Sequence, residues 1–332
     1  MKKNKERSAA TRFIKRLTIL LAPFFIVMGI YLHDDPFMVL RHYPQYDCST
    51  VLLDEDYVGW QMYMNSRDTI PFNSFIMGNS CTMAFPCQEW EKHLEGGRVM
   101  RLFGNAEGII AIYQKLEALD RLGVPIKNVL MVVDNCSLGN CQPSLSHTGI
   151  LPPAVSGMSN LKFQETFCQA FFYPGFLIPY LDYKMCRKYR PYMHGVINPY
   201  GTIRKQVTND AINPREAMID EEGENYWESR KNEFKKKREA NYRDGKYKEA
   251  PPVLFGKQLD LLEKIREILA KNNTSLKLII SPDFNQVSLN KADLKQLNDI
   301  FGADNVFDFT GINKYTADVH NYYEKTHYRP VL

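Results

Sequence analysis

The runs SFIMGN (74–79), VMRLFG (99–104) and NVLMVVDN (128–135) decide how this chain folds. Each is short and apolar, and the third is nearly continuous in apolar side chains. A strand covered on both faces of a parallel sheet demands that pattern. Between the second and third, residues 105–123 read as a helix. Asn105 is a candidate N-cap, Ile109, Ile112, Tyr113, Leu116 and Leu119 share one face, and Gly123 ends the run. Alternation of this kind is the signature of a doubly wound sheet with right-handed crossovers.

The alternation resumes late in the chain. KQLDLLEKIREILAKNN (257–273) sets Leu262, Ile265 and Leu269 on one stripe, and the strand SLKLIISP (275–282) follows. ADLKQLNDIFG (292–302) is a shorter helix closed by Gly302, and NVFDFT (305–310) is a fifth strand. The predicted fold class is α/β, a three-layer α/β/α sandwich around a parallel five-stranded sheet.

Residues 140–255 follow neither period and read as a large insertion. Residues 163–200 hold eleven aromatics: Phe163, Phe167, Phe171, Phe172, Tyr173, Phe176, Tyr180, Tyr183, Tyr189, Tyr192 and Tyr200. They predict a helical subdomain packed on the sheet. A lid or groove wall for an apolar or carbohydrate ligand, or a surface leaning on a membrane, would use the same composition. The run SRKNEFKKKREANYRDGKYKE (229–249) alternates in sign and reads as a solvated helix or loop.

The chain has 332 residues, of which 44% are hydrophobic, enough for a sizeable core and too many for a disordered chain. Its charge is segregated. Residues 1–16 hold seven Lys/Arg and one acid, a net +6, whereas the whole chain is +4; residues 17–332 therefore carry the difference, −2. The folded part lacks the positive field of a nucleic-acid reader. Behind the basic tail, LTILLAPFFIVMGIYL (17–32) has no charge over sixteen residues, and no small-x-small cleavage site follows. The pattern predicts an uncleaved signal anchor across the lipid bilayer, with a cleaved signal as the alternative. A buried core helix would not need the preceding positive charge. The positive-inside rule puts residues 1–16 in the cytoplasm and 33–332 outside the cell membrane.

Seven cysteines (Cys48, Cys81, Cys87, Cys136, Cys141, Cys168, Cys186) include no C-x-x-C pair, so a zinc ribbon or thioredoxin site has no support. Export permits disulfides, with bridges within or between Cys81/Cys87 and Cys136/Cys141 as the candidates. His33, His42, His93, His147 and His194 lack metal-ligand spacing, and no P-loop or dinucleotide fingerprint occurs.

Doubly wound sheets place their active sites at the carboxyl ends of the strands. The first strand ends in Gly78-Asn79-Ser80. A serine there displays its hydroxyl at the sheet edge and its N–H at a helix start, as a nucleophile requires, although Ser as an N-cap fits the same tripeptide. The second strand ends at Gly104-Asn105 and the third at Asp134-Asn135, where an N–H or an amide can face an oxyanion. Near the C-terminus, Glu324 stands three residues before His327, close enough to orient the imidazole through Nδ1–H and leave the other nitrogen as a base. Asp318-x-His320 has a different spacing and reads as loop; Asp283 and Gln286 read as turn formers.

This ordered set resembles the SGNH (GDSL-like) esterase and acyltransferase superfamily, over roughly residues 70–135 and 257–330. Members carry Gly-Asp-Ser after the first strand, Gly after the second, Asn after the third, and Asp-x-x-His near the C-terminus. The membrane-tethered branches, the alginate O-acetylation proteins and the protein that completes teichoic acid D-alanylation, are the most similar. The resemblance implies Ser80 as nucleophile, His327 as general base and Glu324 as its orienter. The Ser80 N–H, the Gly104 N–H and the Asn135 amide would form the oxyanion hole. Asn79 and Glu324 both stand where Asp is usual. The third block, VVDNCS, lacks the usual Gly, so either Asp134 or Asn135 occupies the donor position, and a carboxylate there would oppose an oxyanion. The chain ends five residues after His327, where relatives commonly continue into a closing helix. The expectation is a membrane-anchored, extracytoplasmic serine esterase or O-acyltransferase. It would act on a cell-envelope polysaccharide or lipid-linked glycan through an acyl-serine intermediate, with a membrane acyltransferase as a further candidate partner. Such a mechanism needs no metal or organic cofactor. The alternative is a non-catalytic binding or assembly component of an envelope polysaccharide machine.

Overall fold

A computed structural model describes residues 2–47, 49–199, 203–243 and 246–331 of the chain. Cys48 and Tyr200 lie outside the described residues. Five strands form the main sheet: β1 (Ser74–Gly78), β2 (Val99–Phe103), β3 (Asn128–Val133), β4 (Ser275–Ile280) and β5 (Val306–Asp308). All pair in parallel, in the order β2-β1-β3-β4-β5. That order reverses direction between β1 and β3, which opens a crevice at the carboxyl edge. The helices used below are α1 (Lys2–Asp34), α2 (Glu55–Ser66), α3 (Ile109–Arg121), α4 (Asn160–Phe172), α5 (Pro174–Cys186), α6 (Arg215–Glu222), α7 (Asn225–Glu239), α8 (Gly256–Lys271) and α9 (Lys291–Phe301).

The unbroken apolar run of β3 follows from its position. Val129, Met131 and Val133 join a core with α2, α3, α8 and α9, while Leu130 and Val132 join a second core with Tyr226, Trp227 and Tyr322. Successive side chains point to opposite faces, and both faces are buried. Gly78 ends β1 at φ 132°, and a Cβ there would lie 1.9 Å from the Val132 carbonyl oxygen, so only glycine lets β1 close on β3. The helix expected from Asn105 starts later, at Ile109 behind Gly108; a turn with Ala106 at φ 51° takes up the first residues.

At the N-terminus, one helix is long and apolar enough to cross a membrane, over Thr11–Asp34. Leu20, Phe25 and Ile26 on it are largely exposed. Its final turns are not: Tyr31 is buried and its ring lies 5.0 Å from that of Phe171. The helix end is fixed as well. Arg41 donates to the carbonyls of Leu32 and His33, satisfying acceptors that the last turn leaves open. Asp35, at φ 45°, accepts from the Val39 and Leu40 N–H groups and from the Tyr43 hydroxyl.

The insertion divides into three pieces. Helices α4 and α5 form a hairpin whose Phe163, Phe167, Phe171 and Phe176 are buried against Phe37 and Tyr31, so most of the aromatic run packs toward the N-terminal helix. A short ribbon (Ile203–Lys205 and Asp210–Ile212) closes the exposed edge of β2, where unpaired strand groups would invite aggregation. There the Arg101 N–H donates to Thr208 O, buried Arg101 pairs with Asp210 at 2.6 Å, and buried Arg204 grips Glu55 through two bonds of 2.8 and 2.9 Å. The third piece, α6 and α7, covers the other face of the sheet.

Candidate active site

The chain leaves β1 through Asn79, whose Oδ1 accepts from the Cys81 N–H at 2.9 Å and caps a single 3-10 turn over Ser80–Ala84. Capping therefore falls to Asn79 and not to Ser80. The Thr82 N–H donates to Asn79 O, which leaves the Ser80 N–H outside both bonds. The Ser80 hydroxyl stands 2.6 Å from His327 Nε2. On the far side of the ring, His327 Nδ1 bonds Glu324 Oε1. Ser80 is thus joined, in one chain of hydrogen bonds at the carboxyl edge of the sheet, to two side chains of a single loop near the C-terminus, with His327 standing 247 positions after Ser80.

The longer arm of Glu324 is accommodated by folding back on its own loop. Its carboxylate accepts from the His327 N–H at 3.0 Å, the Thr326 hydroxyl at 2.7 Å and the Thr326 N–H at 3.3 Å. Burial pushes this carboxyl up, but the hydrogen bond and charge of His327, together with the Thr326 donors, outweigh it and hold the group at about 2. Glu324 is accordingly ionised at neutral pH and fixes the proton of His327 on Nδ1. Arg215 Nη1 lies 3.9 Å away and adds a distant positive charge.

Both side chains sit at the tip of a small hairpin. Tyr322 and Tyr328 bridge antiparallel, and the Tyr323 N–H donates to His327 O at 2.9 Å. This loop rests on α6 and α7. The Tyr226 hydroxyl donates to Tyr323 O at 2.7 Å, Trp227 Nε1 donates to Tyr322 O at 3.0 Å, and Arg329 pairs with Glu216. The run read as a solvated helix therefore carries a buried face at Phe234, while Arg230 and Arg238 each stack 4.0 Å over an aromatic ring.

Of the residues expected at the oxyanion, two are open and one is not. Asn135 lines the cavity beside Thr326, and among the described residues its buried Oδ1 has no hydrogen-bond partner. Asp134 is turned away from such a role, because Oδ1 caps the following turn through the Ser137 N–H and Oδ2 accepts from Asn79 Nδ2 at 2.8 Å. Asn79 also donates to the Ser137 hydroxyl, and an Asp in its place would set two carboxylates face to face. The Gly104 N–H, by contrast, donates to Gly78 O at 3.2 Å and extends the β1–β2 ladder. That group is engaged in this structure. Glycine is required there for another reason: a Cβ would fall 2.2 Å from Asp56 Oδ2.

Asp56 belongs to a buried ionic cluster that sequence reading did not find. Lys115 Nζ lies 2.6 Å from Asp56 and 2.8 Å from Glu107, with buried Asp54 nearby capping α2. Burial pushes Glu107 up to about 8, against the pull of Lys115 and with the repulsion of Asp56.

A cavity of about 360 Å³ adjoins the loop and is lined by Asp134, Asn135, Ser281, Asp283, Lys325 and Thr326. A larger groove of about 720 Å³ runs along α7 between Trp227, Phe284 and His320, but neither Ser80 nor His327 lines it. Asp283 accepts from the N–H and amide of Asn285, so it forms a turn, and Gln286 sits beside it at φ 59°. His320 bonds Asp318 at 2.7 Å and Glu224 at 3.1 Å, away from Ser80. The six described cysteines are free thiols, so neither candidate pair is bridged. Burial raises the pKa of Cys81, beside Ser80, and keeps it protonated and inert.

No known protein family and no curated protein matches this chain. Sequence reading gave Thr326 no role, although its place between Glu324 and His327 could have marked it as a local donor. Arg215, Tyr226 and Trp227 carried no signal, because their contacts depend on how the insertion folds back.

Proposed function

We propose that this protein is a membrane-anchored, extracytoplasmic serine esterase or O-acyltransferase of the SGNH type. The observation that carries the reading is the Ser80–His327–Glu324 hydrogen-bonded chain at the carboxyl edge of a parallel sheet. Ser80 Oγ attacks the acyl carbon of a donor ester while its proton passes to His327 Nε2. Glu324 stabilises the resulting imidazolium. Collapse of the tetrahedral intermediate expels the donor alcohol, which takes that proton, and leaves acyl-Ser80. A hydroxyl of a cell-envelope glycan, or water, then gives its proton to His327 and attacks the ester, and as this second tetrahedral intermediate collapses His327 returns the proton to Ser80 Oγ, restoring both side chains. The Ser80 N–H and the Asn135 amide are the donors available to the oxyanion. The cavity beside Asn135 and Thr326 carries Asp134, Ser281 and Asp283 among its lining residues, polar groups that could bond the hydroxyls of an acceptor.

The packing of Tyr31 and the Arg41 cap support an anchor over a cleaved signal, since removal of the helix would strip a buried face from the domain. We place the basic tail in the cytoplasm on the charge pattern. The engaged Gly104 N–H favours the second reading, a binding or assembly component that keeps the fold without turnover, because it leaves the oxyanion one donor short.

The deciding experiment is intact-mass analysis of the full-length protein in detergent after exposure to a fluorophosphonate. One adduct on the wild type, absent from Ser80→Ala, is the expected result. An unlabelled wild-type protein with a normal melting curve would sink the catalytic reading in favour of the binding one.

A further inference from the structure

The α4–α5 hairpin meets the N-terminal helix at a depth that a soluble domain would not need. Phe172 at its tip stacks on Phe24, with ring centroids 5.2 Å apart. Phe24 lies eight residues before Leu32, or about 12 Å back along the helix axis. Toward the domain, the Tyr180 hydroxyl donates to Asp34 at 2.6 Å and Lys184 pairs with the same carboxylate. The hairpin therefore runs alongside the last part of α1, with its polar contacts level with Asp34 and its tip reaching back toward the middle of the apolar segment.

Its composition matches that placement. No charged residue occurs between Glu165 and Asp182, and Lys184, Arg187, Lys188 and Arg190 follow immediately. Phe171 and Phe176 are buried, yet Tyr173 is 67% exposed and Ile178 60% exposed at the tip, as Phe25 and Ile26 are on α1. Large apolar side chains left outward at a charge-free tip, with cations gathered where the chain turns back, form the pattern of a segment seated in a lipid interface.

We propose that the hairpin is a second membrane contact, with the segment Phe172–Ile178 inserted into the outer leaflet beside the anchor. The ligand is the acyl region of the bilayer, and the proposal rests on α1 spanning that bilayer. It gives the domain two points of attachment, one crossing the membrane and one dipping into it.

The test is tryptophan quenching in nanodiscs that contain acyl-brominated phosphatidylcholine, using the purified full-length chain. Tyr173→Trp and Ile178→Trp are compared with Phe25→Trp on the anchor and with Ile312→Trp, 71% exposed in the loop after β5. The native Trp60, Trp90 and Trp227 give a common background. The expected outcome is quenching at 173 and 178 within about twofold of that at 25, and none above background at 312. Quenching at 25 with none at 173 or 178 overturns the hairpin contact while sparing the anchor, even if that surface later proves to seat another protein. No quenching at 25 overturns both. Because the replaced side chains are exposed, the variants retain the packing of the hairpin.

Discussion

The insertion contains two helical pairs that solve different problems. In α4 and α5, contact is made by aromatic rings, with Phe163, Phe167, Phe171 and Phe176 buried beside Phe37 and Tyr31. In α6 and α7, contact is made by donors aimed at backbone carbonyls: Tyr226 to Tyr323 and Trp227 to Tyr322. The first pair supplies apolar area, which is non-directional. The second supplies directional bonds, which fix where a loop stands. A loop bearing His327 and Glu324 needs the second kind. Aromatic density thus marks contact with the N-terminal helix in this molecule, and the support of the loop comes from Tyr226 and Trp227, just before the charge-rich run.

Substitutions on either side can break or sharpen that contrast. The largest effect belongs to the loop's target: Ser80→Ala should lower fluorophosphonate labelling by about a thousandfold or more. It should leave the melting temperature nearly unchanged, because Asn79 does the capping. Next, Phe171→Ala should cost about 3–5 kcal/mol in denaturant unfolding, the range for a fully buried aromatic. The labelling rate of its folded fraction should match the wild type, and a fall in that rate would merge the two roles. Trp227→Phe should cost less, about 1–3 kcal/mol for a carbonyl left unpaired, yet slow labelling roughly tenfold because the His327 loop loses its fixed position. Unchanged labelling in Trp227→Phe would remove the distinction drawn here.

The smallest effect is in the pH profile of stability, and its two limbs come from different places. Glu324 is lowered from 4.5 to about 2, so it stabilises the fold above pH 4.5, and this contribution is lost as pH falls from 4.5 toward 2. Glu107 is raised from 4.5 to about 8, so the folded state keeps a proton that the unfolded state releases, and stability declines as pH rises from 4.5 to 8. Thermal unfolding of Glu107→Gln across that interval should show a flatter alkaline limb than the wild type, with the acid limb preserved. An identical slope in both proteins would mean that Lys115 and its carboxylates exchange no proton on folding.

The sheet was legible because burial on both faces writes itself into β3 as an unbroken apolar run, and the strand ends pointed to Ser80. Glu324 and His327 were legible as a local spacing. The oxyanion side was only partly so. Whether an N–H such as that of Gly104 is free depends on the neighbouring strand, and whether Asp134 or Asn135 faces the site depends on which of them caps the next turn. The cluster of Asp54, Asp56, Glu107 and Lys115 is spread over sixty-two residues and has no periodicity to betray it. The β2 edge ribbon escaped notice for a similar reason, since strands of three residues carry too little alternation to read.

The junction at Asp34–Tyr43 has a mechanical consequence. Arg41 closes the end of the helix and Asp35 ties the next residues in place, so no swivel separates the apolar helix from the domain. A protein on a flexible leash sweeps a hemisphere, whereas one on a rigid stalk keeps a single pose. On the proposed reading, with the helix across a bilayer, Ser80 would face one fixed altitude above the lipid surface. Its search for substrate would be a lateral, two-dimensional one, and a target at any other height would have to come to it.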